Sequence, residues 1–231
     1  MIITALNRTW SQLLDPTFRR VLALSLAVAA LTFAGVVVLA DLFWPASLTM
    51  EADWLPQWVA DLGFWAVVAV AAWFLFPAMV TLVMGFMLER VADAVEARYY
   101  PNRQGARDPG WIDPAISALK LLGLVLLLNL LALIPYVILL ALTGGVGTLA
   151  LYLVLNGILL GREYFELVTL RHMRERDMVA LRRRGRDRVF MGGVVIAGLF
   201  LIPVVNLVAP IIATAVMTHL VHDLFHREAG R

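Results

Sequence analysis

The stretch FLIPVVNLVAP, residues 200–210, interrupts the last apolar run of the chain. Pro203 and Pro210 each lack a backbone donor and crowd the preceding turn, so one straight helix cannot carry both. The limbs on either side are short. As helices, Phe190 to Ile202 reaches about 20 Å and Ile211 to Phe225 slightly more, against a bilayer core of ~30 Å. A chain that enters, turns at IPVVNLVAP and returns accommodates both limbs and both prolines. Irregular backbone at membrane depth is tolerated only inside protein or beside a water-filled cavity, so the turn is expected to face a pore or a partner. Asn206, between the prolines, can satisfy the open backbone groups of that turn, and a pore-lining role follows for it.

The rest of the chain supports a membrane reading. Of 231 residues, 61% are hydrophobic and only 16% charged, with a mean hydropathy of +0.84. That excludes an ordinary soluble domain. There is no cysteine, so disulfides and thiolate metal sites do not arise. The basic pI of about 9.3 comes without a nucleic-acid recognition motif, and the arginines border apolar segments, as positive-inside topology requires. No nucleic-acid partner is expected. H-E-x-x-H, P-loop, G-x-S-x-G and paired-glycine nucleotide motifs are all missing, so neither an enzyme nor an ATP-driven pump is expected, and no cofactor or catalytic residue is assigned.

Working outward, residues 1–20 place Ile2, Leu6, Trp10 and Leu13 at helical spacing and predict an interfacial helix closed by Asp15 and Pro16. Residues 21–43 form a first transmembrane helix, too long for a signal-peptide core. The connection 44–63 carries three tryptophans and Glu51, Asp53 and Asp61 but no lysine or arginine, which reads as a non-cytoplasmic loop with an aromatic belt. Residues 64–100 predict a second transmembrane helix running on into a polar extension that stops at Pro101. A first hairpin follows at 114–160, with Pro135 in its outbound limb and TGGVG at 143–147. Then come a basic cytoplasmic segment at 161–189 and a second hairpin at 190–226. If both hairpins return to the side they entered from, every lysine and arginine shares one face and both termini are cytoplasmic. The expected fold is an all-α integral membrane protein, with two long transmembrane helices and two helical hairpins that penetrate partly, forming a single membrane domain.

Three segments in order carry a family resemblance: DPTFRR at 15–20, VADAVEARY at 91–99 and LIPVVNLVAP at 201–210. Together they resemble the CysZ-type sulfate permease family, whose domain recurs in etoposide-induced-protein homologues. The resemblance implies an oligomeric bacterial inner-membrane protein with two long helices and two partly penetrating hairpins, taking up sulfate for cysteine synthesis. It also implies that the arginine pair Arg19 and Arg20 contacts the anion. The chain departs from the family pattern at Phe18, where the family has glycine. It departs again at Pro135-Tyr136, where the family turn contains glycine, and at Arg162-Glu163-Tyr164-Phe165, in place of an Asp-Tyr-Pro segment.

Chemistry narrows the candidates. Thr17, Phe18, Arg19 and Arg20 open a helix, where free N–H groups, the positive dipole end and two guanidinium forks make an anion-binding site for sulfate or a related oxyanion. Headgroup anchoring explains the same arginines. Glu89, Asp93 and Glu96 recur at i, i+4 and i+7 on one helix face, with Arg98 nearby, and suggest a charged network along the pathway. Since carboxylates repel sulfate, their part is to hold arginines or to gate; a solvated helix face is the plainer reading. Pro135, Pro203, Asn206 and Pro210 mark hairpin turns that line the passage. Asn129 and Asn156 are expected to bond neighbouring helices. His219, His222 and His226 share a face, with Asp223 and His172 as possible additions, but an amphipathic helix end accounts for them and no metal is assigned. The leading function is sulfate uptake across the inner membrane, channel-like or proton-coupled, by a homo-oligomer. The alternative is a non-transporting scaffold whose arginine-rich 162–188 segment docks anionic membrane lipid or a cytoplasmic partner.

Overall fold

The structure, a computed structural model, describes residues 2–43, 57–103 and 112–229. The tryptophan-rich loop expected at 44–63 lies largely outside them, as does the polar linker before residue 112. Every regular element among the described residues is helical. In chain order these are α1 (Ile2–Gln12), α2 (Pro16–Phe43), α3 (Gln57–Gly85) and α4 (Leu88–Tyr99). After the short 3-10 turn Pro101–Arg103 come α5 (Ile112–Thr143), α6 (Val146–Thr169), α7 (Glu175–Arg184), α8 (Arg186–Phe200), α9 (Pro203–Asn206) and α10 (Ala209–Ala229). Pro16–Val38, Leu119–Thr143 and Val146–Thr169 are long and apolar enough to cross a membrane. The chain is an all-α membrane protein.

Two compact units divide the chain: Arg19–Met87, and Met1–Phe18 together with Leu88–Arg231. The first unit contains most of α2 and all of α3, which meet edge-on at Phe33 and Phe76, with ring centroids 6.4 Å apart. The single helix expected over 64–100 is two helices. α3 ends at Gly85 and α4 begins at Leu88; the Met87 N–H bonds the Met84 carbonyl at 2.8 Å, a tightened last turn that residue 85, a glycine, readily permits.

The larger unit is organised around α10. Every residue from Ala209 to His222 is buried. Thr214 and Thr218 remain satisfied inside because each hydroxyl bonds the carbonyl four residues back, at 2.9 and 2.8 Å. The helix runs on through the polar HDLFHRE segment to Ala229, so this limb is 21 residues and about 31 Å long. The sequence-based estimate for it was too short, because it stopped where apolar residues stop. α8, at 15 residues or about 22 Å, does remain short of a bilayer core.

Helices α6 and α8 touch backbone to backbone. A Cβ on Gly193 would lie 1.9 Å from the Gly157 carbonyl oxygen, and one on Gly161 would lie 2.6 Å from the Val189 carbonyl oxygen. The four-residue spacing in GILLG, 157–161, sets two small residues on one face, the usual device for close helix crossing in membranes. Gly192 makes room in turn for Leu220 of α10, whose Cδ1 would be 2.7 Å from an added Cβ.

Helix α5 runs unbroken through Pro135, which corrects the expectation of a turn there. The direction reverses at Gly144 and Gly145, both with positive φ (59° and 106°), a backbone region that glycine enters freely. Thr143 then accepts the Gly147 N–H at 2.7 Å and closes the start of α6. Pro135 is exposed among Leu131, Ile134, Val137 and Ile138. At the second hairpin the chain breaks at Leu201–Ile202, makes the single turn α9 and re-enters at Ala209. α1 buries Ala5, Thr9 and Gln12 and leaves Ile3 and Trp10 exposed on one face, which suits an interfacial helix; Leu14, also exposed, lies in the turn that follows.

Candidate functional site

Helix α4 buries Leu88, Val91, Ala92, Val95 and Glu96. A carboxylate thus occupies a position on an apolar stripe, where an unpaired charge is costly. Glu96 is fully buried, and partners from two other elements meet it. His172 Nε2 lies 2.8 Å from Oε1 and His222 Nε2 lies 3.3 Å from the same oxygen. Arg171 Nη2 is 3.5 Å from Oε2. The same guanidinium pairs with Asp93 and donates to the Glu89 backbone carbonyl at 3.5 Å.

Local structure delivers these side chains. Arg171 and His172 follow the end of α6, where the His172 and Met173 N–H groups both bond the Thr169 carbonyl, at 2.9 and 3.0 Å. His222 comes from α10. Tyr100 stacks on its ring at 4.0 Å with an interplanar angle of 7°, and Phe225 meets both His172 and His222 edge-on. The Tyr100 hydroxyl lies 2.9 Å from His219 Nδ1. Burial lowers the pKa of His222, against the raising effect of Glu96. It lowers His219 to about 4, helped by Arg8 and His222, and raises Tyr100. The His219 and His222 imidazoles are therefore neutral at pH 7. With His222 donating its Nε2 proton to Glu96, its Nδ1 is left with no hydrogen-bond partner among the described residues.

The ligand atoms of Glu96, His172 and His222 lie within 4.8 Å of one another, a donor set zinc accepts. The surroundings fit an ion poorly. Arg171 already supplies the positive charge, and His222 lacks the outer hydrogen bond by which metal-bound imidazoles are fixed. The group is a hydrogen-bonded charge cluster.

The sequence-predicted residues divide accordingly. Asp93 and Glu96 do hold an arginine, but Glu96 is buried while Glu89, Asp93 and Arg98 are exposed, and Arg98 lies over the Tyr99 ring at 5.5 Å. The expected histidine face splits: His226 is exposed and Asp223 pairs with Arg227 at 3.0 Å. Thr17 and Phe18 stand in the first turn of α2, where Asp15 accepts the Thr17 N–H at 2.8 Å; Phe18 is buried, and Arg19 and Arg20 are exposed. Pro203 is exposed, Asn206 half-buried and Pro210 buried. The Asn206 side chain makes no hydrogen bond among the described residues; its backbone N–H bonds the Ile202 carbonyl at 2.8 Å. Asn129 and Asn156 bond the carbonyls four residues back on their own helices, at 2.8 and 3.0 Å, not a neighbouring helix as expected. Sequence reading missed Arg171 as the organising cation, for it is one arginine among many and its partners lie some 75–80 residues away.

The family model for the sulfate transporter CysZ/Etoposide-induced protein 2.4 matches residues 5–210. The chain belongs to this family. The match includes Glu96, Arg171 and His172 and ends at Pro210, before the α10 histidines. CysZ-type membership places the chain in a transporter family. Neither the curated proteins nor the solved structures contain a match to the chain.

Proposed function

We propose that this protein takes up sulfate, or a closely related tetrahedral oxyanion, across a bacterial inner membrane to supply cysteine synthesis. The observation that carries the reading is the family match over residues 5–210, with both arginines of the α2 entrance exposed. Arg19 and Arg20 capture the anion through guanidinium forks that match its oxygens. Asp15 already takes the Thr17 N–H, so side chains, more than the helix terminus, supply the attraction. The α8–α10 hairpin, broken on either side of the Pro203–Asn206 turn, lines the passage in a homo-oligomer whose lysines, arginines and termini face the cytoplasm.

The Glu96 cluster has the makings of a coupling element, because a buried carboxylate shared by two imidazoles and a guanidinium is sensitive to any change of protonation or of α10 position. A dianion entering against a negative-inside potential costs about 2.3 kcal/mol per charge per 100 mV, which a steep gradient, an intracellular sink or a coupled proton must offset. Radiolabelled sulfate flux into liposomes, with and without a proton gradient, tests the proposal. The expected result is flux well above empty liposomes, reduced at least tenfold by Arg19→Ala with Arg20→Ala. Flux equal to empty liposomes sinks it and leaves a non-transporting scaffold as the reading.

A further inference from the structure

The arginine-rich segment builds a second site, far along the chain from the α2 entrance. A cavity of about 690 Å³ is lined by the charged residues Arg162, Arg182, Arg183, Arg186 and Asp187 and by the apolar residues Leu124, Ile158, Val189 and Phe190. Glu166 holds two of the guanidiniums in place: it accepts from Arg162 Nε at 2.7 Å and pairs with Arg182. Arg183 has no ion pair among the described residues, and Arg186 meets only Asp187, at 3.4 Å with both side chains exposed. Four guanidiniums against Glu166 and Asp187 leave an excess of two positive charges.

The position of the cavity selects its occupant. Counted from the Gly144–Gly145 turn at 1.5 Å per residue, Arg162 lies about 25 Å and Leu124 about 30 Å along their helices. That is one hydrocarbon thickness from the turn. The apolar lining comes from Leu124 of α5 and Ile158 of α6, each helix apolar and long enough to span, and from Val189 and Phe190 at the start of α8; the arginines stand in and next to the basic segment. An amphiphile fits: a charged head on the arginines and the start of a hydrocarbon chain against Leu124, Ile158 and Phe190. A free oxyanion would leave most of the volume and the whole apolar wall unused, whereas basic pockets between membrane helices suit anionic headgroups.

We propose that this cavity binds the phosphodiester head of an anionic phospholipid, independently of the sulfate reading. The test is native mass spectrometry of the detergent-solubilised full chain titrated with phosphatidylglycerol, cardiolipin or phosphatidylcholine. Anionic lipid is expected to be retained at least tenfold better than phosphatidylcholine. Arg183→Glu with Arg186→Glu is expected to abolish that preference, while Arg174→Glu with Arg176→Glu, the same charge change on exposed residues outside the cavity, preserves it. Glutamine at 183 and 186 gives a milder pair, expected to weaken retention, should the reversal impair folding; circular dichroism checks each variant. Equal retention of neutral and anionic lipid overturns the proposal, as does retention unaffected by the changes at 183 and 186. Displacement of the lipid by millimolar inorganic phosphate or sulfate also overturns it, since the cavity is then a free-oxyanion site.

Discussion

Two apolar segments of the larger unit have opposite fates. Of residues 119–143 of α5 only Ala132 is buried, whereas Ala209 to His222 of α10 is buried without interruption. The sequence reads both as apolar limbs of membrane hairpins. What separates them is the chemistry between the leucines. α5 presents bulky residues outward over a broad arc, including Leu126, Leu127, Leu133 and Ile138, and its Gly123 has nothing within 4 Å of an added Cβ. α10 alternates small residues, threonines and histidines, and a hydroxyl or imidazole surrounded by protein can find partners that lipid does not offer. One helix is built for solvation by hydrocarbon or by another copy of the chain, the other for packing within its own fold.

The largest effect that can break this comparison is at the glycines that hold α6, α8 and α10 together. Gly193→Leu is expected to abolish folding, because the Cβ alone would stand 1.9 Å from a backbone oxygen and backbone cannot rotate aside as a side chain can. Gly123→Leu on α5 should leave yield and thermal midpoint close to those of the parent, its effect on stability staying within about 0.5 kcal/mol as for surface substitutions. Comparing the monodisperse fraction after detergent extraction checks both; a well-folded Gly193→Leu protein would show that the α6–α8 crossing does not hold the core.

Those glycines also show how much was legible. The IPVVNLVAP break, the two hairpins and the family itself could be read from residue order, since prolines, apolar run lengths and arginine asymmetry are properties of sequence neighbours. The α6–α8 crossing left a local signal in GILLG that invited reading and was passed over. Pro135 misled for a physical reason: a proline breaks a helix only where the freed carbonyl has no other support, and inside long apolar helices it is often accommodated. Glu96 was placed in the right helix and on the wrong kind of face. Its burial depends on Arg171, His172 and His222, which come near only when α6 and α10 pack, and no spacing rule joins residues so far apart.

A second, smaller effect contrasts this buried cluster with the exposed ion pair that Lys120 of α5 makes with Glu175. Glu96→Ala leaves Arg171 and two imidazoles without their shared acceptor and is expected to cost about 3–5 kcal/mol, the range for breaking a buried pair from one side. Glu175→Ala should cost under about 1 kcal/mol. Thermal unfolding in detergent at pH 7.5 orders the two. Equal losses would mean that the Glu96 cluster is as well hydrated as the α5 pair, and the division between a buried and a solvated face would fail.

The smallest effect separates the two helices by pH. His219, faced by Tyr99, Tyr100, Arg8 and His222, has its pKa lowered in the fold from 6.5 to about 4, and His222 shifts the same way. Below about pH 6.5 the unfolded chain therefore takes up protons that the folded chain refuses, so stability is full above that pH and declines as pH falls toward 4. The decline is local to the helix carrying the histidines. Hydrogen exchange, corrected for the intrinsic rate, is expected to show α10 opening more readily at pH 5 than at pH 7.5 while residues 119–143 of α5 keep their protection. His219→Gln should reduce the α10 difference, because a neutral amide can accept or donate at Tyr100 without titrating. If α5 loosens as much as α10, acid acts on the whole unit and the two segments differ in what covers them but not in what they sense.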